Sequence, residues 1–222
     1  MELLQKYRKL VEMVRQDHMA RVTGKKGHDF YHAYRVAQCA KRIAEDEQTR
    51  ELGWVAGVVH NADHLFPDAI RENLERYLEQ TNLASEEKQT IVTAVLNHSK
   101  RNGPDDSPVQ ICLMDADKVV CMELDVILRS AQFMSHLPIY DPRFVSEKDP
   151  TSTYRNPKTI LRDIEGCLEW VEQEGWFRLP KAKALAEERY RKLKDFQDDF
   201  AEQLADSGML SPEFPEELIV NK

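Results

Sequence analysis

The sequence predicts an all-α protein, and three observations support this class. Charged residues make up 32% of the 222 residues, which is typical of helices with a solvated face. The chain has only 8 Gly and 10 Pro, fewer turn residues than a sheet protein of this length usually needs. Apolar residues recur at helical spacing over most of the chain, which predicts a compact bundle of about seven to nine helices.

Five helices are predicted in the first half of the chain, at about residues 2–22, 29–43, 50–64, 68–80 and 85–98. The stretch GWVAGVVH, which ends at His60, is apolar nearly all round and predicts a helix at the centre of the bundle. Ser85 is the expected N-cap of the fifth helix, because Glu86 and Glu87 follow it and acidic residues favour a helix N-terminus.

Three more helices are predicted in the second half, separated by two loops. The segment SKRNGPDDSP, residues 99–108, contains only loop signals. A long and mostly apolar helix is expected over residues 109–134, and two further helices over 158–175 and 180–206. The stretch 137–157 holds four prolines and no clear period, and loops of that length are usually functional or mobile.

The length of the chain fits one domain, which we expect over residues 1–206. Its core is expected at about residues 20–135, with the helices over 158–206 packed on that core. A loosely ordered tail is expected over residues 207–222.

The composition excludes several kinds of partner. A net charge of −8 argues against a protein that grips duplex nucleic acid, since such binding depends on a concentrated cationic face. No apolar run reaches the roughly 20 residues of a membrane span, and the first segment is an amphipathic helix rather than a signal peptide. The four cysteines are widely spread and indicate reduced thiols, so we expect a cytoplasmic protein and leave open a homo-oligomer.

Five of the seven histidines lie in three short clusters. His28 and His32 are one helical turn apart, as are His60 and His64, so each pair can share a face of its helix. The third cluster is His98 alone. Histidines on apolar helices are costly unless they are paired or bind a metal, so their placement beside apolar runs indicates a site.

Two aspartates on the helix predicted over residues 109–134 compete for a place at such a site. Asp115 and Asp117 both follow the apolar run VQICLM, but they differ by roughly 200° around a helix and cannot both face one metal ion. A set of nitrogen and oxygen ligands suits Mn, Fe, Ni, Co or Zn better than a calcium cage.

At these residues the chain resembles the HD superfamily of metal-dependent phosphohydrolases. The motif His32-Ala-Tyr-Arg-Val is followed by an apolar helix that ends at His60 and by a distant Asp117-Lys. The run Gly-His-Asp-Phe-Tyr-His, which ends at His32, is similar to the opening motif of small bacterial and archaeal members. His98-Ser and the late segment AEERY also match, and the resemblance covers roughly residues 20–205 in order.

The resemblance implies the fold, an HD-type helical bundle, and the roles of several residues. The implied ligands of a divalent metal ion (Mn, Fe, Ni, Co, Zn or Mg) are His32, His60, Asn61 and Asp117. The implied catalytic residues are His64, Asp63 and His98, of which His98 becomes a metal ligand instead if the site holds two metals. The implied contacts to the phosphate of the substrate are Arg35 and Lys118.

Asn61 departs from the family, which has its signature aspartate at this position. An amide oxygen is a neutral and weaker ligand, so we expect metal to bind less tightly and a bound water to be less activated. Asp63 is two residues away, but nothing in the family pattern supports it as a replacement. Drift toward a non-catalytic binding protein and an engineered substitution would each produce this residue.

Three hypotheses for the function follow. The leading one is a metal-dependent phosphohydrolase that acts on a nucleotide or another small phosphate ester. The alternative is a degenerate HD domain that binds a nucleotide or a partner without efficient hydrolysis, because of Asn61. The third is a plain helical interaction module in which the histidines fall together by chance.

The remaining polar residues have simpler interpretations. His28 and Asp29 are expected to cap and orient the helix that carries His32, with a hydrogen bond to a metal ligand as the alternative. Asp115 is expected to support the metal ligands rather than to be one. His18 and His136 have no partners in the sequence and are expected at the surface.

Overall fold

The computed structural model describes residues 2–21, 28–145, 148–153 and 155–210. Eleven α-helices lie in these residues: α1 (Glu2–Lys6), α2 (Arg8–Arg21), α3 (Phe30–Ile43), α4 (Glu47–Val59), α5 (Ala62–Leu65), α6 (Ile70–Leu78), α7 (Ser85–Asn97), α8 (Pro108–Cys121), α9 (Val126–Phe133), α10 (Ile160–Glu172) and α11 (Pro180–Asp206). A short 3₁₀ helix covers Pro142–Phe144, and Thr153 and Asn156 form an isolated β-bridge. The predicted all-α class is confirmed.

The described helices outnumber the predicted seven to nine because three predicted helices are each divided in two. The first is interrupted at Tyr7, the third at His60 and Asn61, and the sixth at residues 122–125. Interruptions this short leave the apolar period almost unchanged, so the sequence pattern does not reveal them. Ser85 is the first residue of α7 rather than its N-cap.

Two aspartates determine where α3 and α4 begin. The Asp29 carboxylate accepts a hydrogen bond from the backbone N–H of His32 at 2.8 Å. The Asp46 carboxylate accepts from the backbone N–H of Thr49 at 2.8 Å. Each cap satisfies a helical N–H that has no partner within its helix, and such caps typically contribute about 1 kcal/mol.

The chain forms two compact units. The first comprises Met1–Val120 and Gly175–Ala184, and the second comprises Cys121–Glu174 and Leu185–Lys222. The single domain over residues 1–206 stays a prediction. Of the predicted tail, residues 207–210 form a turn after α11, and residues 211–222 lie outside the described part of the chain.

Helix α4 lies at the centre of the first unit, as its apolar sequence predicted. Every residue from Leu52 to Val59 is buried, and α4 packs against α3 and α7. The indole of Trp54 is fully buried and stacks on the ring of Tyr7, with 6.0 Å between the centroids.

Two glycines of α4 allow neighbouring helices to approach it closely. A Cβ atom at Gly57 would lie 2.6 Å from the backbone N and Cα atoms of Ala37 in α3. A Cβ atom at Gly53 would lie 3.2 Å from the Sγ atom of Cys112 in α8. Non-bonded atoms do not pack as closely as 2.6 Å, so any side chain at position 57 would push α3 and α4 apart. The observed distance between the two helices therefore requires glycine at this position.

The second unit has its own core, to which α9, α10 and the later part of α11 contribute. Its buried apolar residues include Val126, Ile164, Leu168, Trp170 and Leu193. Among the described helices of the whole chain, none has the length and apolar character of a membrane span.

Candidate metal centre

Three predicted ligands from separate helices meet in the first unit. His32 lies in the first turn of α3, His60 follows the last residue of α4, and Asp117 lies just before the last turn of α8. One ligand atom from each lies within 4.8 Å of the others, and no second group of this kind occurs among the described residues. Asp117 Oδ1 is 3.2 Å from Nε2 of His32 and 3.8 Å from Nε2 of His60.

The hydrogen bond at the other side of the His60 ring determines which nitrogen carries the proton. Its Nδ1 is 2.8 Å from the carbonyl oxygen of Gly57, and because a carbonyl only accepts, Nδ1 is the donor. Burial lowers the pKa of His60 to about 3, so the ring is neutral at pH 7. Its Nε2 therefore presents a lone pair toward the carboxylate of Asp117.

The Asp117 carboxyl group is ionised at neutral pH. Burial raises its pKa, but the contact with His32, whose Nε2 lies 3.2 Å from Oδ1, outweighs burial and holds the pKa well below 3.8. An ionised carboxylate and the lone pair of a neutral imidazole repel each other unless a cation lies between them. The residues present therefore fit a divalent metal ion, in agreement with their mixed nitrogen and oxygen donors.

Asn61 directly follows His60 in the break between α4 and α5, and it is completely buried. Its Nδ2 donates to the backbone oxygen of Asp29 at 3.3 Å and lies 3.4 Å from Nε2 of His18. Its Oδ1 is buried and has no hydrogen-bond partner within the described residues. Burial of an unsatisfied amide oxygen costs free energy, and a bound cation would satisfy it.

The other clustered histidines lie beside these residues. The rings of His28 and His64 stack with 3.8 Å between their centroids, and His28 lies 5.6 Å from His32. The ring of His98 lies 5.5 Å from that of His60. The fold therefore brings together all three histidine clusters of the sequence, including His28.

Asp63 and His64 form a pair in α5. The Asp63 carboxylate accepts from the backbone N–H of His64 at 2.8 Å, and the same oxygen lies 3.9 Å from Nε2 of the His64 ring. Both side chains are partly exposed, so they are accessible from solvent. Their catalytic roles stay predictions.

Two cations lie against the ring of Trp176, a residue that the sequence did not single out. The Nζ atom of Lys118 is 5.7 Å and the guanidinium carbon of Arg101 is 5.6 Å from the ring centroid. The Trp176 carbonyl accepts from the side chain of Asn102 at 3.1 Å, which ties the loop over residues 99–108 to this segment. Arg35 lies on α3, one turn from His32, and is half-buried.

Two sequence-based interpretations are wrong. His18, expected at the surface, is only 2% exposed, and its Nδ1 is 2.8 Å from the carbonyl oxygen of Val14. Asp115, expected to support the metal ligands, accepts from the backbone N–H groups of Arg178 at 2.9 Å and Leu179 at 2.7 Å. It therefore anchors the segment that precedes α11.

Comparison with known proteins finds one family match over part of the chain and identifies the fold. The family model of the HD domain matches residues 29–122, whereas no curated protein matches the sequence. A protein from Lactobacillus plantarum has a similar structure, with 23% identity, a TM-score of 0.69 and coverage of 91% of this chain and 98% of its own.

Two further solved structures are similar to this chain. An HD-superfamily hydrolase from Bacillus thuringiensis is 21% identical, with a TM-score of 0.67 and coverage of 91% of this chain and 98% of its own. Bacillus subtilis YpgQ, in complex with ADP, is 18% identical, with a TM-score of 0.64 and coverage of 91% and 97%. At these identities the likeness shows a shared fold.

Proposed function

We propose that this protein is a metal-dependent phosphohydrolase that acts on a nucleotide or another small phosphate ester, since its residues 29–122 match the family model of the HD domain. The observation that carries the proposal is the meeting of His32, His60 and Asp117 from three helices. A neutral imidazole faces an ionised carboxylate there, which is the arrangement that a divalent cation stabilises. The ADP in the similar structure of YpgQ favours a nucleotide as the substrate.

We assign the metal to four ligands, which are His32, His60, Asn61 and Asp117. A divalent ion held there (Mn, Fe, Ni, Co, Zn or Mg) would supply a Lewis acid for the phosphoryl group and would lower the pKa of a water molecule. The neutral amide of Asn61 contributes less charge to this set than a carboxylate would, so binding is weaker than in a site with an aspartate.

The partly exposed pair of His64 and Asp63 is the proposed route for the proton. His64 accepts or donates a proton at Nε2, and Asp63, 3.9 Å from that atom, stabilises the protonated ring. His98 packs against His60 and restricts the orientation of that ring.

Lys118 and Arg35 are the proposed contacts to the phosphate, because each lies on a helix that also carries a ligand. Lys118 follows Asp117 directly, and Arg35 shares a face of α3 with His32. Cations in these places stabilise the negative charge that develops on a transferred phosphoryl group. Arg101 lies against the same indole as Lys118, that of Trp176, and adds a second positive charge beside this ring.

The test is release of phosphate or pyrophosphate from nucleoside mono-, di- and triphosphates with added Mn, Co, Ni or Mg. We expect turnover with at least one metal, loss of turnover in His60→Ala, and no change in His136→Ala, an exposed histidine outside the site. Wild-type turnover no greater than that of His60→Ala with every metal would rule out the proposal.

A degenerate HD domain that binds a nucleotide without hydrolysis is the second candidate, and Asn61 at the position of the family's aspartate favours it. Equilibrium dialysis with labelled ADP distinguishes the two functions. Binding that needs His60, in a protein that releases no phosphate, supports the second candidate and excludes the first.

A further inference from the structure

His18 and Asn61 form a buried contact between α2 and the break after α4. His18 is 2% exposed and Asn61 is completely buried, and 3.4 Å separates Nε2 of the ring from Nδ2 of the amide. Two polar side chains buried in contact must match as donor and acceptor, since a mismatch leaves both unsatisfied.

The backbone of α2 determines the tautomer of His18. Its Nδ1 lies 2.8 Å from the carbonyl oxygen of Val14, which can only accept, so Nδ1 carries the proton. In the neutral ring Nε2 is then an acceptor, and it faces the Asn61 amide.

A second acceptor faces the same amide nitrogen. The carbonyl oxygen of Asp29 is 3.3 Å from Nδ2 of Asn61 and also accepts from the backbone N–H of Ala33 at 3.2 Å. With acceptors on both sides, the NH₂ group of Asn61 must point toward His18 and Asp29. Its Oδ1 then points away from both, and it has no hydrogen-bond partner within the described residues.

We propose that His18 is a positioning residue, which together with the Asp29 carbonyl directs the Asn61 side-chain oxygen toward the metal. The inference rests on the metal site of the proposed function. It also accounts for the departure from the family, because two acceptors at this place match an amide and oppose a carboxylate. His18 and Asn61 are a matched pair.

The first test needs neither metal nor substrate. Long-range ¹H–¹⁵N correlation spectra of the metal-free protein report which nitrogen of His18 carries the proton. We expect the proton on Nδ1 and side-chain amide protons of Asn61 that are protected from exchange. A proton on Nε2 would overturn the proposal, because that nitrogen would then have to face the amide oxygen.

The second test is Mn²⁺ affinity, measured by titration calorimetry. His18→Leu removes the acceptor, and we expect Mn²⁺ to bind about 10-fold or more weakly. His18→Gln retains an acceptor oxygen and should restore affinity to within a few-fold of wild type. Leu10→Ala, two turns away on α2, is the control: it removes buried volume and lowers the melting temperature but should not change affinity.

Equal affinities in His18→Leu and the wild type would overturn the proposal. So would an equal loss in His18→Leu and Leu10→Ala, since the effect would then come from packing alone. The proposed hydrolysis can fail while these results hold, because Mn²⁺ affinity and the tautomer are measured without turnover.

A third test examines whether the pair is matched. Asn61→Asp should lower the melting temperature of the metal-free wild type. The same substitution should lower the melting temperature less when it is made in the His18→Gln variant. A glutamine can turn its NH₂ group toward a carboxylate, whereas the neutral His18 ring cannot donate there without losing its bond to Val14. Equal losses in the two backgrounds would show that His18 is not matched to the amide.

Discussion

Burial acts in opposite directions on the pKa values of a histidine and a glutamate in this protein. It lowers the pKa of His60 to about 3 and raises the pKa of Glu165 to about 7. In both residues the neutral form is favoured. Neutrality of His60 favours metal binding, because only a neutral imidazole binds a metal. The raised pKa of Glu165 instead makes the free energy of unfolding depend on pH.

Glu165→Gln should stabilise the protein at alkaline pH. The pKa of Glu165 is about 7 in the folded chain against an ordinary 4.5, so the folded state binds more protons between these values. Its contribution to stability is therefore greatest below pH 4.5, declines as pH rises, and is lost above pH 7. Glutamine keeps an oxygen for the bond from Gln197, which is 2.6 Å from the carboxylate.

Urea unfolding at pH 4.5 and pH 8 measures this effect. We expect the free energy of unfolding of Glu165→Gln to exceed that of the wild type by about 1–3 kcal/mol at pH 8 and to equal it at pH 4.5. Glu187→Gln, on the exposed side of α11, should show no difference at either pH. An equal gain in the free energy of unfolding of Glu165→Gln at both pH values would contradict the raised pKa of Glu165.

The sequence predicted some residues of the site and missed others, for a physical reason. His32, His60 and Asp117 were recognisable because each lies beside an apolar run and the three occur in a known order. His18 lies in the charged segment RQDHMAR, and it is buried by residues far from it in the chain, such as Asn61, 43 residues later. Trp176 was missed because its cations come from distant segments.

At the scale of elements, the close approach of α3 and α4 determines whether His32 and His60 can share a metal. Gly57→Ala should place a Cβ atom 2.6 Å from the backbone of Ala37 and force the helices apart. We expect a loss of about 1–3 kcal/mol in the free energy of unfolding, and weaker metal binding because the two ligands separate.

The matched control is Gly53→Ala, one turn earlier on α4, where the new methyl group meets the Sγ atom of Cys112 at 3.2 Å. Both substitutions gain the same helix propensity, so a difference between them reports the space around each. Chemical denaturation and Mn²⁺ calorimetry should show the larger loss at position 57. Wild-type stability and affinity in Gly57→Ala would refute this account of the helix contact.

The ends of helices were predicted well where proline or glycine marks them. Helix α11 begins at Pro180 and is followed by Gly208, whose φ of +75° favours glycine, and its predicted range is the observed one. The break at His60 and Asn61 has no such marker. It depends on bonds from these side chains to Gly57 and Asp29, which only the folded chain brings into reach.

For the whole molecule, a metal bound by three helices should stabilise the folded state. The ligands meet only in the folded chain, so binding adds about 2.7 kcal/mol when free metal is 100 times its Kd. We expect Mn²⁺ to raise the melting temperature and EDTA to reverse the rise. His60→Ala should show no response, and a response equal to that of the wild type would contradict the ligand assignment.

The all-α class and the match to the HD-domain family model could be predicted from the sequence because helical periodicity and ordered motifs extend over most of the chain. The two compact units could not be predicted from periodicity, since helix α11 continues from one unit into the other without a change of pattern. The conformation of the loop over 99–108 was equally beyond the sequence, because it depends on bonds to the segment before α11.

The position of Trp176 gives the protein an internal optical reporter. Of the three tryptophans, Trp54 and Trp170 are buried, whereas Trp176 is partly exposed and lies against Arg101 and Lys118. A phosphate that draws either cation away from the indole should change its fluorescence emission. Titration with ADP should therefore alter the emission of the wild type, whereas an undiminished response in Trp176→Phe would show that the signal arises elsewhere. Binding of ADP could then be followed by tryptophan fluorescence, independently of any hydrolysis.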